Sequence, residues 1–317
     1  MRGYSGPVSG GIPGELRLDR YIAEYLRLLS RSQIKAKKLR AAVNGKEVKV
    51  SRLVRPGDLL ELSWPDPEPE TLLPEDIPLD IIYEDSRLVV VNKAQGMVVH
   101  PGAGNHSGTL ANALLGRRLR RGGEQAKTRE YVPFPGRRPG IVHRLDKDTS
   151  GVIIAAYDDE TLAFLSAQFK ERLTRKIYAA IVRGSPPEPR GKVDMRIVRD
   201  SRDRKRFTVS KDKGKSALTR YRLVKEFGEY SLLLLKPRTG RTHQIRVHLK
   251  YLGCPILGDA VYGRGDPRFP GATLMLHAKS LSIAVPGSAP LPETPQLRTF
   301  SAPLPPRFAG FLRAFRR

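Results

Sequence analysis

Apolar residues recur along this chain with two different periods. Leu16, Leu18, Tyr21, Ile22, Tyr25, Leu26 and Leu29 fall at helical spacing, so an amphipathic helix is expected there. A second helix is expected over residues 33–40, with Ser30 or Ser32 available to cap it. An Asn44-Gly45 turn, a strand at residues 47–50, a Pro56-Gly57-Asp58 turn and a strand at 59–63 complete a small unit. Beyond residue 78 the period changes. Apolar or β-branched runs bounded by turn residues lie at 81–83, 88–91, 151–156, 176–182, 216–224, 230–236 and 274–285, and each reads as a strand. Helical spacing interrupts them at 109–115, 160–171 and 242–252. Strands and helices do not alternate regularly, which disfavours a parallel doubly wound sheet. The expected fold is α+β on a large mixed, mostly antiparallel sheet.

Between the two patterns, the stretch from Trp64 to Pro74 carries four prolines and several acids, the composition of a semi-rigid spacer. The expected organisation is a Gly/Ser/Pro-rich disordered tail at 1–13, a small domain at 14–64, a linker at 65–77 and a large domain at 78–317.

Charge narrows the partners. Lys and Arg total 57 against 32 acidic residues, a net charge of +25 over 317 residues. So positive a field attracts polyanions, and nucleic acid is the commonest that a protein meets. The basic residues cluster. Lys35, Lys37, Lys38 and Arg40 share the second helix; Arg117, Arg118, Arg120, Arg121, Arg137 and Arg138 form a group; Arg199, Arg202, Arg204, Lys205, Arg206, Lys211, Lys213 and Lys215 form another. The last two groups read either as solvated faces or as loops that contact a phosphate backbone, and the second reading is preferred. A single cysteine, Cys254, excludes an intrachain disulfide and a Cys-rich zinc site. No apolar run approaches the ~20 residues of a membrane span. The start, MRGYSGPVSGGIPGE, lacks the apolar stretch of a signal peptide, so a cytoplasmic protein without membrane association is expected.

The densest cluster of reactive side chains is Gly140-Ile-Val-His143-Arg144-Leu145-Asp146-Lys147-Asp148-Thr149-Ser150-Gly151, directly before an apolar strand. On residue types alone it reads either as an active-site loop or as a surface turn whose Asp and Ser satisfy backbone groups. Asp146 and Asp148 together would suit a metal, but their surroundings are basic and no third ligand is evident. His243 and His248 are five apart rather than the four that places two ligands on one helix face. Gly214-Lys215-Ser216 ends like a phosphate-binding loop, yet Val209 stands where its first glycine belongs. Neither a metal nor a nucleotide cofactor is expected.

Three segments taken together, HRLD…TSG, KIYAAIVRG and TGRTHQIRVHL, resemble in order and spacing the RluA/RluD-type pseudouridine synthases. Tyr83 to Lys93, Gly96 to Gly102, CPILGDAVYG, LMLHAKSLSI and FSAPLP extend the resemblance over nearly all of residues 78–306, with Ala94 where the family has proline. The resemblance implies Asp146 as the catalytic carboxylate and Arg144 as the side chain that fills the space left by a flipped base. It implies Tyr178 as a base contact that moves protons. Arg246 becomes the cation that pairs with Asp146, through two hydrogen bonds, and keeps it ionised. His143, Arg241 and His243 are further expected RNA contacts. In the small unit LSRSQIK, VNGKEVKVSRLVRPGD and LLEL resemble the RNA-binding domain named for the fourth small-subunit ribosomal protein. That resemblance implies Arg31, Ser32, Lys35, Lys38, Asn44 and Lys46 as RNA contacts, although Arg40-Ala-Ala-Val replaces that motif's usual glycine-containing turn. The implied protein is a cofactor-free monomer acting on structured RNA, namely large-subunit ribosomal RNA or its precursor. A non-catalytic RNA-binding ribosome-assembly factor is the alternative.

Overall fold

The computed structural model describes residues 2–9, 11–12, 14–29, 31–36, 39–65, 72–102, 104–121, 140–203, 205–286 and 296–315. Contacts divide the chain into two compact units, Met1–Thr71 and Leu72–Arg317.

In the first unit, strands β1 (Arg2–Pro7), β2 (Leu16–Arg17), β3 (Arg40–Val43), β4 (Lys46–Val48), β5 (Leu53–Val54) and β6 (Leu59–Trp64) accompany two short helices, α1 (Leu18–Arg20) and α2 (Arg31–Ala36). Helix α1 continues as a π-helical turn, Tyr21–Tyr25, and stops where Arg27 takes a left-handed φ of 52°. The sheet runs β1-β6-β3-β4, all antiparallel. Leu18, Tyr21, Ile22, Ile34, Leu60, Leu62 and Trp64 fill its core.

Two expectations are corrected here. Residues 2–7 are not a disordered tail: Tyr4 stands opposite Leu62 in β1, and Val8 and Ile12 are buried in the core. The Ser9 N–H also donates to the Tyr21 hydroxyl at 2.8 Å. An edge strand tolerates the glycines and Pro7 that made this stretch look disordered, because half its backbone groups need no partner. The second helix ends at Ala36, and Arg40 opens a strand in which Ala41 and Val43 alternate inward. Lys37, Lys38 and the side chains of Ser32 and Lys35 lie outside the described residues, as do Arg137, Arg138 and Arg204. Asn44, expected to contact RNA, is engaged inside the unit. Its Oδ1 accepts the Leu59 N–H at 2.8 Å and its Nδ2 donates to Asp58 at 2.9 Å.

The second unit is built on a nine-stranded sheet. Its strands are β7 (Ile81–Glu84), β8 (Leu88–Lys93), β9 (Ser150–Ala156), β10 (Arg175–Arg183), β11 (Arg190–Asp194), β14 (Leu218–Phe227), β15 (Tyr230–Pro237), β16 (Leu276–Val285) and β17 (Gln296–Ser301). A separate hairpin, β12 (Arg196–Arg199) with β13 (Phe207–Ser210), follows β11. The order is β11-β14-β15-β10-β16-β9-β8-β7, with β17 alongside β16. Every pairing is antiparallel except a short parallel contact, His277 to Ser150 and Ala278 to Gly151, between β16 and β9. Helices α3 (Leu110–Arg121), α4 (Asp159–Lys170), α5 (Gln244–Tyr251) and α6 (Pro306–Arg313) complete an α+β fold of the expected kind. Helix α4 starts at Asp158, which accepts the Thr161 N–H at 2.7 Å, and buries Leu165 against Ile154, Leu281 and Ile283.

The expected linker is shorter than 65–77, because residues from Leu72 onward belong to the large unit. Asn112 donates to the Leu73 carbonyl at 2.8 Å, and the Gly108 N–H donates to the Glu75 carboxylate at 3.0 Å. The arginines of α3 are likewise engaged. Arg117 and Arg121 both pair with Glu84, and Arg120 pairs with Asp76, so these three sit on a helix with carboxylate partners rather than in a loop as expected. Arg117, together with the Tyr157 hydroxyl and Arg121, outweighs burial and holds Glu84 down to about 2.

Deleting residues 1–9 from the full chain removes β1 and the buried Val8 side chain. Loss of Val8 burial alone costs roughly 1.5–3 kcal/mol. Urea unfolding of the truncated chain is expected to show a clearly destabilised first unit, whereas a dispensable tail would leave its midpoint unchanged.

Candidate active site

The loop of residues 140–149 is fixed to the sheet at both ends. Gly140 has a φ of +61°, its carbonyl accepts the Ala156 N–H at 2.8 Å, and Ile141 bridges Ala155. Gly151 has a φ of +114° where β9 meets β16, and a Cβ there would overlap the Ala278 carbonyl oxygen. Between these ends Leu145 is buried, so the residues on either side of it are displayed by an anchored backbone. Lys93, fully buried at the end of β8, supports the loop from beneath. Its ammonium donates to the carbonyls of Ala94 at 2.8 Å, Met97 at 2.8 Å and Lys147 at 3.0 Å. Burial pushes its pKa down to about 8, against the opposing pull of Asp148 and Asp146. The Gly96 N–H also donates to Lys147 O at 3.0 Å, and Gln95 donates to Asp148 O at 3.0 Å.

Arg246 approaches Asp146 from the first turn of α5, with Nη1 at 3.7 Å from Oδ2. That separation is an ion pair, but it is too long for a hydrogen bond. The two-bond fork expected between Arg246 and Asp146 goes instead to Asp259, with Nε to Oδ2 at 2.8 Å and Nη2 to Oδ1 at 2.7 Å. Asp259 also accepts the N–H groups of Val261 at 2.9 Å and Tyr262 at 3.0 Å. Burial pushes the Asp259 carboxyl up, but Arg246 and those two amides outweigh it and hold it below the usual carboxylate range. The guanidinium is thus positioned by one acid while its remaining edge faces another. Asp146 gains a nearby positive charge without having its oxygens clamped.

Tyr178 lies on β10, opposite Leu235 on one side and Ala278 on the other. Burial, with the Asp146 charge added, pushes its phenol well above the ordinary tyrosine range, so it stays protonated. His243 caps α5 in a left-handed conformation, φ 55°, with Nδ1 at 2.8 Å from the Tyr262 hydroxyl. The same hydroxyl accepts the Phe207 N–H at 2.9 Å, and the Tyr262 ring lies under the Arg246 guanidinium at 5.1 Å. The basic hairpin β12–β13 is therefore tied to the turn that holds Arg246. Burial lowers the His243 pKa, and Asp146, Arg246, Asp259 and Arg144 all act on it electrostatically. Asp146, Tyr178, Arg246 and His243 thus converge, while Arg144 is exposed on the loop. Arg241 donates to the Ser216 carbonyl at 3.2 Å.

His143 is placed differently. Its Nε2 accepts the Ile154 N–H at 3.1 Å and its ring stacks on Phe169 at 4.5 Å. Burial, helped by Lys176, holds its pKa down to about 3, which keeps the acceptor nitrogen free of a proton. It serves the sheet rather than an RNA-facing surface. Reading the sequence assigned no role to Asp259, Tyr262 or Lys93. A signal for the first was present, since an aspartate within the apolar run CPILGDAVYG has to find a cation if buried. Among the described residues, no group of three or more His, Cys, Asp or Glu side chains is arranged to hold a metal ion.

Residues 87–251 match the family model described as RNA pseudouridylate synthase. The chain belongs to the RNA pseudouridine synthase family. The synthase is 46% identical over 308 residues to a protein of Borreliella burgdorferi named ribosomal large subunit pseudouridine synthase D, covering 95% of this chain and 90% of that one. A Chloroflexus aurantiacus protein named as an RNA pseudouridine synthase is 45% identical over 293 residues, 91% of this chain and 86% of the relative. Among solved structures, human RNA Pseudouridylate Synthase Domain Containing 4 superposes with a TM-score of 0.57 at 26% identity, covering 74% of this chain and 92% of the human one. Membership makes the protein an RNA-modifying isomerase and sets aside the alternative of a non-catalytic factor.

Because folding depresses the His143 pKa from 6.5 to about 3, the unfolded chain takes up a proton first as pH falls. The contribution of His143 is complete above pH 6.5 and declines at up to about 1.4 kcal/mol per pH unit toward pH 3. Urea titrations between pH 7 and 5 are expected to show a shallower loss in His143→Gln than in the unaltered synthase, and an identical slope would contradict the assignment. Asp259→Ala leaves a buried guanidinium without its fork partner, at a cost of about 3–5 kcal/mol. Thermal unfolding of this variant at the unaltered Tm would show that the pair does not hold the site together.

Proposed function

We propose that this synthase converts selected uridines of large-subunit ribosomal RNA, or of its precursor, to pseudouridine, with Asp146 as the catalytic carboxylate. The observation that carries the reading is the Asp146 side chain lying 3.7 Å from a buried guanidinium that is forked onto another acid. In the reaction the C1′–N1 bond of uridine breaks, the uracil turns, and a C1′–C5 bond forms. The proton leaves C5 and N1 gains one, so atoms balance without a cofactor. A carboxylate serves by attacking C1′ or by stabilising the positive charge that develops there. Both tasks need oxygen lone pairs not already spent on bidentate hydrogen bonds, and the Asp259–Arg246 fork supports this for Asp146. Arg246 supplies the charge that orients it.

Tyr178, partly buried beside the carboxylate and protonated, is suited to contact the base and pass its proton. The target base must leave its stack before any of this chemistry, and exposed Arg144 is suited to occupy the vacated space. His243 and Arg241 border the same region as RNA contacts. We read the first unit as the RNA-binding domain its sequence resembles, with exposed Arg31 and Lys46 contacting the sugar–phosphate backbone; the same resemblance adds Ser32, Lys35 and Lys38 as contacts. The ribosomal target is supported by the name of the Borreliella burgdorferi relative. A monomer suffices, since the proposed chemistry draws on one chain.

The test is release of tritium from RNA labelled at uridine C5. Asp146→Asn is expected to reduce release to background while RNA binding stays nearly intact, because the change removes charge but not volume. Undiminished release by the variant would exclude Asp146 from the chemistry.

A further inference from the structure

Five exposed cations of the second unit line up on one face of one sheet edge. Across β11 and β14, Arg190 stands directly opposite Arg222, and Lys192 directly opposite Arg220. Arg220 in turn stands opposite Lys236 of β15. A continuous row, Lys192–Arg220–Lys236, therefore crosses three strands, with Arg190–Arg222 as the row beside it. All five residues are exposed, and no described acid forms an ion pair with any of them. Asp194, next along β11 on this face, stands opposite Leu218 rather than a cation. By contrast, Arg87, Arg117, Arg120, Arg121 and Arg246 all have carboxylate partners.

Like charges directly opposite one another weaken a sheet. A strand edge carrying two such pairs and a third cation in line is poorly explained by folding alone. Alternation fixes which face this is. Tyr178 pairs with Leu235, and Leu235 with Tyr221, so these three share the catalytic face. Lys236 and Arg222, one residue along from Leu235 and Tyr221, point the other way. The cationic rows thus lie on the back of the sheet from Tyr178. Along each strand the cations are spaced two residues apart, roughly 6.8 Å, and across strands about 4.8 Å. The strand that bears Arg190 and Lys192 is an edge strand, and it runs directly into the β12–β13 hairpin that Tyr262 ties to the site. One edge strand therefore joins the cationic rows on the back to the basic hairpin, with Asp194 and Met195 between them.

We propose that this back face is a second RNA-contacting surface, which takes the phosphate backbone of a segment that leaves the cleft and passes over β11. The inference rests on the reading of the protein as an enzyme of large structured RNA. It adds a surface that a short substrate would not reach. Regular spacing of single charges on a flat sheet suits a repeating polyanion, and contacts of this kind add affinity without sequence preference.

The variant Lys192→Gln, Arg220→Gln, Arg222→Gln, Lys236→Gln tests it in the full chain. Binding is measured against salt with a domain-length fragment of large-subunit ribosomal RNA and with a short stem-loop that contains the target uridine. For the long RNA, the slope of log affinity against log salt is expected to fall by about 3, and affinity to fall at least about tenfold at low salt. Affinity for the stem-loop and pseudouridine formation in it should be unchanged, and the Tm no lower, since like-charge repulsion is relieved. An unchanged slope on the long RNA, or equal losses on both RNAs, would overturn the proposal. So would loss of binding to vesicles containing anionic lipid with the RNA slope intact, which would assign the face to a membrane surface. If the unaltered protein forms no pseudouridine in either RNA, the reading of large-subunit ribosomal RNA as its target fails, while the binding comparison still decides the surface.

Discussion

A buried guanidinium organises this site. Arg246 and Asp259 are both almost wholly withdrawn from solvent, and desolvating either alone would be prohibitive. They are stable together because the fork of two short hydrogen bonds is supplemented by two backbone amides on the same carboxylate. The consequence reaches beyond the pair. With two of its nitrogens committed, Arg246 turns one remaining edge toward Asp146 and has no freedom to collapse onto it. The Asp146 carboxylate is oriented by charge across 3.7 Å and keeps its lone pairs. A direct bidentate pair would orient it equally well but would spend those oxygens.

The sheet supplies the rigidity that this arrangement needs. The loop that carries Asp146 ends where β9 meets β16 in the parallel contact at Ser150 and Gly151, and it is supported by Lys93, which donates to three carbonyls, that of Lys147 among them. From the other side, β10 brings Tyr178, and the turn after α5 brings Asp259 and Tyr262. The Tyr262 hydroxyl then links the hairpin bearing Phe207 to His243 at the start of α5. Geometry at the carboxylate and position of a basic hairpin are thereby joined through a single side chain. Charge is distributed to match. Arg87, Arg117, Arg120, Arg121 and Arg246 are neutralised by carboxylates, whereas the five cations aligned across β11, β14 and β15 have no ion-pair partner among the described residues.

Local features were legible in the sequence. The runs that became β8 and β9 are apolar because the sheet is covered on both faces there, those of β10, β15 and β16 because at least one face is buried, and their ends differ from expectation by a few residues. The loop around Asp146 was legible because its reactive residues are contiguous. Features that depend on distant partners were not. Arg117 and Arg121 look like free cations until Glu84, more than thirty residues earlier, is folded against them. Asp259 takes its meaning from a helix thirteen residues before it. Strands β11, β12 and β13 are short, and the first two are rich in charge, so their periodicity is hidden until register is known. Residues 2–7 have the composition of a tail, but two buried side chains beyond them, Val8 and Ile12, are enough to draw them onto a sheet edge.

The account is tested most directly by a structure of the synthase with RNA in which the target uridine is replaced by an analogue that cannot complete the rearrangement. It predicts one Asp146 oxygen at about 3–3.5 Å from C1′ of an extruded nucleotide, a near-attack distance, with the Arg246–Asp259 fork unbroken. An Asp146 side chain turned to bulk solvent, or bound to Arg246 through both oxygens with C1′ out of reach, would contradict it.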